Sequence, residues 1–163
     1  MTLTERDLVL VTGAVGWIGR SICAQLKAAG MRVASLDLVA PSAPCDEVVV
    51  GSLETVAKPS PELKAVLSRS KVVIHCAGRA HRPIETPEEV RLFQETNVEG
   101  TRVLLAACKA SGIERIVYVS TIAGYDWAGA PESGLTEDAE QKPTTAYART
   151  KLEGERLVRE SGL

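Results

Sequence analysis

Three glycines, Gly13, Gly16 and Gly19, stand between an apolar run and an amphipathic one, and no other feature restricts the fold so tightly. Residues 7–12 are apolar after the first and read as a buried strand. Ile18, Ile22 and Leu26 follow at helical spacing, and Gly30 stands where a helix C-terminal glycine is expected. The glycines therefore mark a strand-to-helix turn. Without Cβ atoms, the backbone there can come close to a phosphate. The helix N-terminus behind it offers free N–H groups and the positive end of its dipole. The first gap holds two residues, so the spacing is not G-x-G-x-x-G. A tight turn with no ligand would also use such glycines. If a phosphate is the reason for them, a side chain at Gly13 should block the ligand and leave the fold largely intact.

Asp37 favours the ligand. Residues 31–37 read as a second strand whose last residue is a carboxylate, 18 positions after Gly19. An acidic group there can accept hydrogen bonds from an adenosine ribose and repel a 2′-phosphate. Positions 38–40 are Leu, Val and Ala, so no neighbouring cation would rescue a 2′-phosphate. NAD is expected over NADP.

Strands and helices alternate over the rest of the chain. Strands are expected at residues 47–51, 71–76 and 115–120, and helices at 59–70, 86–112 and 144–161. Ser60-Pro61 and Pro87-Glu88-Glu89 open two of these helices. Residues 122–143, with their Gly, Pro, Asp and Glu, read as a loop, as does 40–44. Near-continuous Val and Ile runs separated by helices specify an α/β fold, a Rossmann-type doubly wound parallel sheet with helices on both faces. Ligands of such sheets sit at the carboxyl ends of the strands.

The chain has 163 residues, enough for one domain with its own core, and residues 1–163 are taken as that domain. The net charge of −2 with interleaved signs advertises no nucleic-acid surface. No apolar run approaches a membrane span, and the scattered cysteines lead to the expectation of a cytoplasmic setting. Cys23, Cys45, Cys76 and Cys108 lack C-x-x-C spacing; three fall in expected helices or strands and read as reduced, buried small hydrophobes. His75 and His81 are the only imidazoles, and no metal-ligand cluster forms. His75 falls in a strand and reads as a structural or cofactor-edge group. His81, with Arg79 and Arg82, reads as a solvated loop or a group facing a substrate phosphate.

The second chemical signal is Tyr147 with Lys151. Four residues apart on a helix, they share one face. A tyrosine hydroxyl ionises near pH ~10 in water, so a tyrosine base at neutral pH needs a cation beside it. Lys151 supplies one. A cofactor loop and a proton-transfer pair in one chain point to oxidoreductase-type chemistry.

Five segments, in order, resemble the extended short-chain dehydrogenase/reductase family, in its NAD-dependent epimerase/dehydratase group. Residues 12–19 (TGAVGWIG) match its T-G-x-x-G-x-x-G loop, and 73–78 (VIHCAG) its fourth-strand segment. Residues 97–101 (NVEGT) match its N-V-x-G-T helix, and 117–121 (VYVST) its catalytic Ser/Thr strand. Residues 143–155 match its Tyr-x-x-x-Lys helix. The resemblance implies a catalytic set of Thr121, Tyr147, Lys151 and Asn97. It implies cofactor contacts from Gly13, Gly16, Trp17, Ile18, Gly19, Asp37, Ser52, Leu53, Cys76, Ala77, Gly78, Tyr147 and Lys151. Thr121 would donate to the reacting oxygen, Lys151 would also hold the nicotinamide ribose, and Asn97 would brace the site. A helix-interior asparagine bonding only backbone is the plainer reading of Asn97.

Two residues depart from the family pattern. Ser52 stands where an Asp often contacts adenine, and Tyr125 is followed by Asp126 rather than Gly. Thr121 is followed by Ile122-Ala123, not by the Asp-Glu pair of the family's dehydratases. The resemblance therefore implies a nucleoside-diphosphate-sugar epimerase or a related dehydrogenase. A non-catalytic NAD-binding module and a hydroxysteroid- or flavonoid-type reductase are the alternatives. It also implies a homodimer through the helices near 87–111 and 144–161, and a C-terminal substrate domain that this chain lacks.

Overall fold

The computed structural model describes Thr4, residues 7–80 and residues 85–163. His81 and Arg82 lie outside the described residues. Five strands form one parallel sheet in the order β3-β2-β1-β4-β5: β1 (Leu8–Thr12), β2 (Arg32–Asp37), β3 (Glu47–Val50), β4 (Ser70–His75) and β5 (Arg115–Tyr118). The expected strand that reached Ser120 stops two residues earlier. In register, Thr12 lies opposite Leu36 on one side and His75 on the other. All strands run the same way, so Thr12, Asp37, Val50, His75 and Tyr118 end at one edge of the sheet.

Both faces are covered, as the apolar runs require. Every residue of β1 is buried. Leu8 and Leu10 join α2 (Pro61–Arg69), α4 (Gly100–Ala110) and α5 (Ala146–Ser161) in the larger core, with Leu63, Leu67, Leu104 and Leu157. Val9 and Val11 point the other way, to Cys23 of α1 (Trp17–Ala28) and Val33. Burying a side chain of this size contributes roughly 1.5–3 kcal/mol.

Helix starts follow their sequence signals. Ser60 Oγ accepts from Leu63 N–H, with Pro61 in the first turn. Thr86 Oγ1 accepts from Glu89 N–H at the start of α3 (Pro87–Phe93), and Thr145 Oγ1 accepts from Ala148 N–H at the start of α5. Such caps are worth about 1 kcal/mol each. Gly30, just past α1, has φ 79°, the left-handed conformation its position suggested.

The expected helix over 86–112 is present in three parts. Between α3 and α4, residues Gln94–Glu99 form a π-helical segment with Asn97 and Val98 buried in it. No propensity signal marks it. The expected loop 122–143 is pinned at its base: Lys142 N–H donates to Gly124 O (2.7 Å), and Tyr125 pairs with Gln141. It opens with a short 3₁₀ turn, Ile122–Gly124.

Candidate active site

The carboxyl edge of the sheet holds a cleft of about 510 Å³. Gly13, Gly16, Asp37, Ser52, Leu53, Cys76, Ala77 and Gly78, all expected cofactor contacts, line it together with Arg79 and Glu54. Cys76 corrects an expectation. It stands one residue beyond β4, half-buried in the cleft wall rather than buried in a strand. Burial still pushes its thiol up to about 11, and those of Cys23 and Cys108 up to about 12. All four cysteines are free. Raised thiols of this kind do not act as nucleophiles at neutral pH.

The three glycines have distinct reasons. Gly13 has φ 70°, and a Cβ on it would meet Ala77 N at 2.5 Å and Cys76 C at 2.8 Å. Here the structure corrects the expectation for Gly13: a side chain would strike the chain's own backbone before any ligand. A Cβ on Gly19 would run into Gly13 O, so this glycine lets α1 pack tightly on the turn. A Cβ on Gly16 meets only Gly13 O, at 3.2 Å, and its backbone is ordinary (φ −61°, ψ 160°). Gly16 is the position whose missing side chain serves the cleft.

Gly16 precedes α1, which has no side-chain cap and no acidic residue in its first turn. Its first N–H groups are available to an anion. Trp17 and Ile18 open that turn with exposed side chains, Trp17 at 84%. Asp37 ties the turn to β2: Oδ2 accepts from Val15 N–H (2.8 Å) and Oδ1 from Leu38 N–H (2.7 Å). Its carboxylate thus shapes the glycine turn as well as lining the cleft.

Lys151 is 95% buried on α5, its ammonium 4.1 Å above the centre of the Tyr118 ring. Burial is the largest cause lowering its pKa, to about 8, opposed by nearby Cys76 and Glu155. Burial also raises the Tyr118 hydroxyl, which donates to Lys151 O (3.2 Å). A Cβ on Gly78 would lie 3.8 Å from Lys151 Nζ and 3.0 Å from Asn97 Oδ1. Gly78 is therefore where the cleft meets the lysine. Tyr147 precedes Lys151 by one turn, and its ring meets Phe93 at 6.0 Å between centres.

Asn97 braces two elements at once. Its Oδ1 accepts from Arg79 N–H (2.7 Å), and its Nδ2 donates to Arg79 O (3.3 Å) and to Thr150 Oγ1 (3.2 Å). Thr121 stands in the loop after β5, where Oγ1 accepts from Ala123 N–H (3.1 Å). That turn rests on α5: a Cβ on Gly124 would meet Leu152 Cδ1 at 2.7 Å.

Two further residues brace the site, and Glu85 carries no motif signal. Glu85 bonds the first amides of α5 from 61 residues away. His75, wholly buried, sits in a one-way chain of hydrogen bonds. Ala77 N–H donates to Thr12 Oγ1, which lies 2.7 Å from His75 Nδ1. His75 Nε2 lies 3.0 Å from Thr101 Oγ1, whose own proton goes to Asn97 O. Thr101 must then accept from Nε2–H, so Nδ1 accepts from Thr12: a neutral Nε2–H imidazole. Burial first, then the Lys151 charge, lowers the His75 pKa to about 3. The histidine is structural, linking the glycine turn to the π-helical segment. Its place in the fourth-strand run was the one available signal. Among the described residues, no buried side-chain polar atom lacks a partner, and none group as metal ligands.

Comparison with known proteins gives this geometry its relatives. The sequence pattern of the NAD dependent epimerase/dehydratase family matches residues 9–162. The chain belongs to that family. It is 35% identical to a UDP-glucose 4-epimerase of Rhizobium meliloti over 98% of its own length and 48% of the relative's. It is 32% identical to one from Azospirillum brasilense over 94% of its length and 44% of the relative's. Among solved structures, UDP-glucose 4-epimerase from Brucella ovis, in complex with NAD, superposes with a TM-score of 0.82 at 26% identity. That match covers 94% of this chain and 47% of the other. An Agrobacterium tumefaciens short-chain dehydrogenase/reductase with bound NAD gives 0.79 at 35% identity, over 94% and 44%. The chain thus spans about half the length of its relatives in this epimerase/dehydratase family. Among the described residues, no helix is long and apolar enough to cross a membrane.

Proposed function

We propose that this chain is the NAD-binding and proton-transfer part of a nucleoside-diphosphate-sugar epimerase acting on a UDP-sugar. The observation that carries the reading is the meeting of cleft and lysine at Gly78, one helical turn from Tyr147. The relatives named UDP-glucose 4-epimerase support the substrate class.

The residues present fit a dinucleotide. The uncapped start of α1 and the bare Gly16 would take the pyrophosphate. Asp37 would accept the adenosine ribose hydroxyls, Ser52 and Leu53 would border adenine, and Cys76, Ala77 and Gly78 would form the wall. Lys151 would reach the nicotinamide ribose. Bound NAD would supply a hydride acceptor and return the hydride within the same turnover.

The chain's own groups would manage the proton. Tyr147 Oη would take the proton of the sugar hydroxyl, helped by the Lys151 ammonium. With a pKa of about 8, Lys151 is mainly charged at neutral pH despite its burial. Thr121 Oγ1 accepts from Ala123 N–H, which leaves its hydrogen to donate to the reacting oxygen. Asn97 would hold α5 against the backbone after β4. Ile122-Ala123 after Thr121 supplies no carboxylates for eliminating water, which favours epimerisation over dehydration.

The test is Tyr147→Phe in the full-length protein with UDP-glucose and UDP-galactose. Turnover should fall roughly 10²–10⁴-fold, the usual worth of a general acid–base group. NAD affinity by calorimetry should stay near wild type. Near-normal turnover in this variant would show that Tyr147 is not the base.

A further inference from the structure

We infer that Glu85 is a positioning residue for Tyr147, gripping the start of the helix that carries it. The inference rests on the reading of Tyr147 as the base. Glu85 Oε2 accepts from Ala146 N–H (2.7 Å) and Oε1 from Tyr147 N–H (3.0 Å). One carboxylate therefore holds two successive amides of α5, and one of them belongs to Tyr147 itself. These are the first two residues of the helix, whose N–H groups have no partner within it. A carboxylate there makes charge-assisted bonds and opposes the helix dipole.

The carboxylate is itself well anchored. Thr86, the next residue, caps α3, and Pro87 fixes the first turn of that helix. The same stretch of chain then touches α5 twice more. Phe93 packs its ring against that of Tyr147, and Asn97 bonds Thr150. Glu85 thus fixes the backbone of Tyr147, Phe93 fixes its ring, and Asn97 fixes the following turn. Without Glu85, the first turn of α5 can fray or rotate about its axis, and the phenol moves with it. A misplacement of about 1 Å at a reacting group can lower a rate by about 10²-fold. Through these two amide bonds, the effect of Glu85 reaches the substrate by way of Tyr147.

The experiment compares wild type, Glu85→Gln and Glu85→Ala in the full-length protein. Four quantities are measured: turnover of UDP-glucose, NAD affinity, hydrogen exchange at the Tyr147 amide, and the nuclear Overhauser contact between the rings of Tyr147 and Phe93. The contact is assigned by its loss in Phe93→Leu. Glu85→Ala should lower kcat by about tenfold or more. It should weaken the ring contact, speed exchange at the Tyr147 amide, and leave KM and NAD affinity unchanged. Glu85→Gln, which keeps an acceptor and the shape, should recover part of the kcat. Full kcat in Glu85→Ala overturns the inference, as does an equal loss of kcat and NAD affinity in both variants. If wild type turns over no UDP-sugar, the proposed reaction is wrong. Glu85 is then judged by the ring contact alone, and an unchanged contact in Glu85→Ala overturns its role.

Discussion

Gly13 and Gly16 answer to different constraints although they stand in one motif. Gly13→Ala would force a side chain into a left-handed backbone, at about 1–2 kcal/mol, and into the Ala77 backbone, at about 1–3 kcal/mol more. A large fall in melting temperature is expected even without ligand. Gly16→Ala has allowed dihedrals and a single tight contact, so its melting temperature should change little while NAD affinity falls. Thermal melts with calorimetry separate the two; equal stability losses would show that both glycines are only turn formers. Asp37 has a double task as well. Asp37→Ala should reduce the preference for NAD over NADP by about 1–3 kcal/mol, the worth of a charged hydrogen bond. Because Val15 N–H loses its acceptor, binding of both dinucleotides should also weaken. Asp37→Asn keeps one acceptor oxygen for Val15 N–H but turns its NH2 toward Leu38 N–H, so it should lose the selectivity and weaken the turn less than Asp37→Ala does. NADP binding as tightly as NAD in wild type would remove the assigned role.

At the scale of elements, the π-helical segment Gln94–Glu99 decides what Asn97 can do. A widened turn departs from the regular i→i−4 ladder, and such turns occur often at functional sites. Here it presents a buried amide to Arg79 on one side and Thr150 on the other. Thr150 gives its own proton to Ala146 O or Tyr147 O, so Asn97 Nδ2 must donate to it. Asn97→Asp would place oxygen against oxygen at both Thr150 Oγ1 and Arg79 O. We expect it to destabilise the protein more than Asn97→Ala, which leaves the Arg79 N–H unpaired at about 1–3 kcal/mol. Urea unfolding of both variants checks the order, and a more stable Asp variant would contradict the donor assignment. The helix expected over 86–112 was legible from Pro87-Glu88-Glu89 at its start and Gly112 at its end. The π turn was not, because its reason is the position of Arg79 and Thr150 in space.

For the whole molecule, two buried groups make stability rise with pH. His75 has a folded pKa of about 3 against an ordinary value of 6.5. Below pH 6.5 the unfolded chain binds a proton that the folded one refuses, so stability is lost as pH falls toward 3. Lys151, at about 8 against 10.5, keeps its proton in both states below pH 8, and its burial then costs about 3 kcal/mol. That cost is relieved between pH 8 and 10.5, where only the unfolded chain remains protonated. Lys151→Met should therefore unfold at higher urea concentration than wild type at pH 7, and the gap should close toward pH 10. A gap independent of pH would mean that the ammonium is not desolvated. At the same scale we propose a homodimer through α3, α4 and α5. Light scattering that gives a monomer at high concentration would refute it.

Local physics sufficed for much of this protein. Alternating apolar runs and capped helices specify a covered parallel sheet, because each element must bury its own face within a few residues. The cleft positions of Gly13, Gly16 and Asp37, and the shared face of Tyr147 and Lys151, follow from position along one strand end or one helix, while Gly78 was legible only through the family resemblance. Other features depend on contacts between distant segments. Gly13 is confined by Ala77, Glu85 grips α5 across 61 residues, and Lys151 is sealed over Tyr118. His75 joins Thr12 to Thr101 through a ring whose tautomer is set by both neighbours. Periodicity cannot announce such pairings, because each needs the sheet order β3-β2-β1-β4-β5 to bring its partners together. The sequence by itself determined the elements, the glycine turn and the pairing of Tyr147 with Lys151 on one helix face. The tertiary structure decided how tightly that pair is held, because holding it takes backbone and charge from elsewhere in the chain.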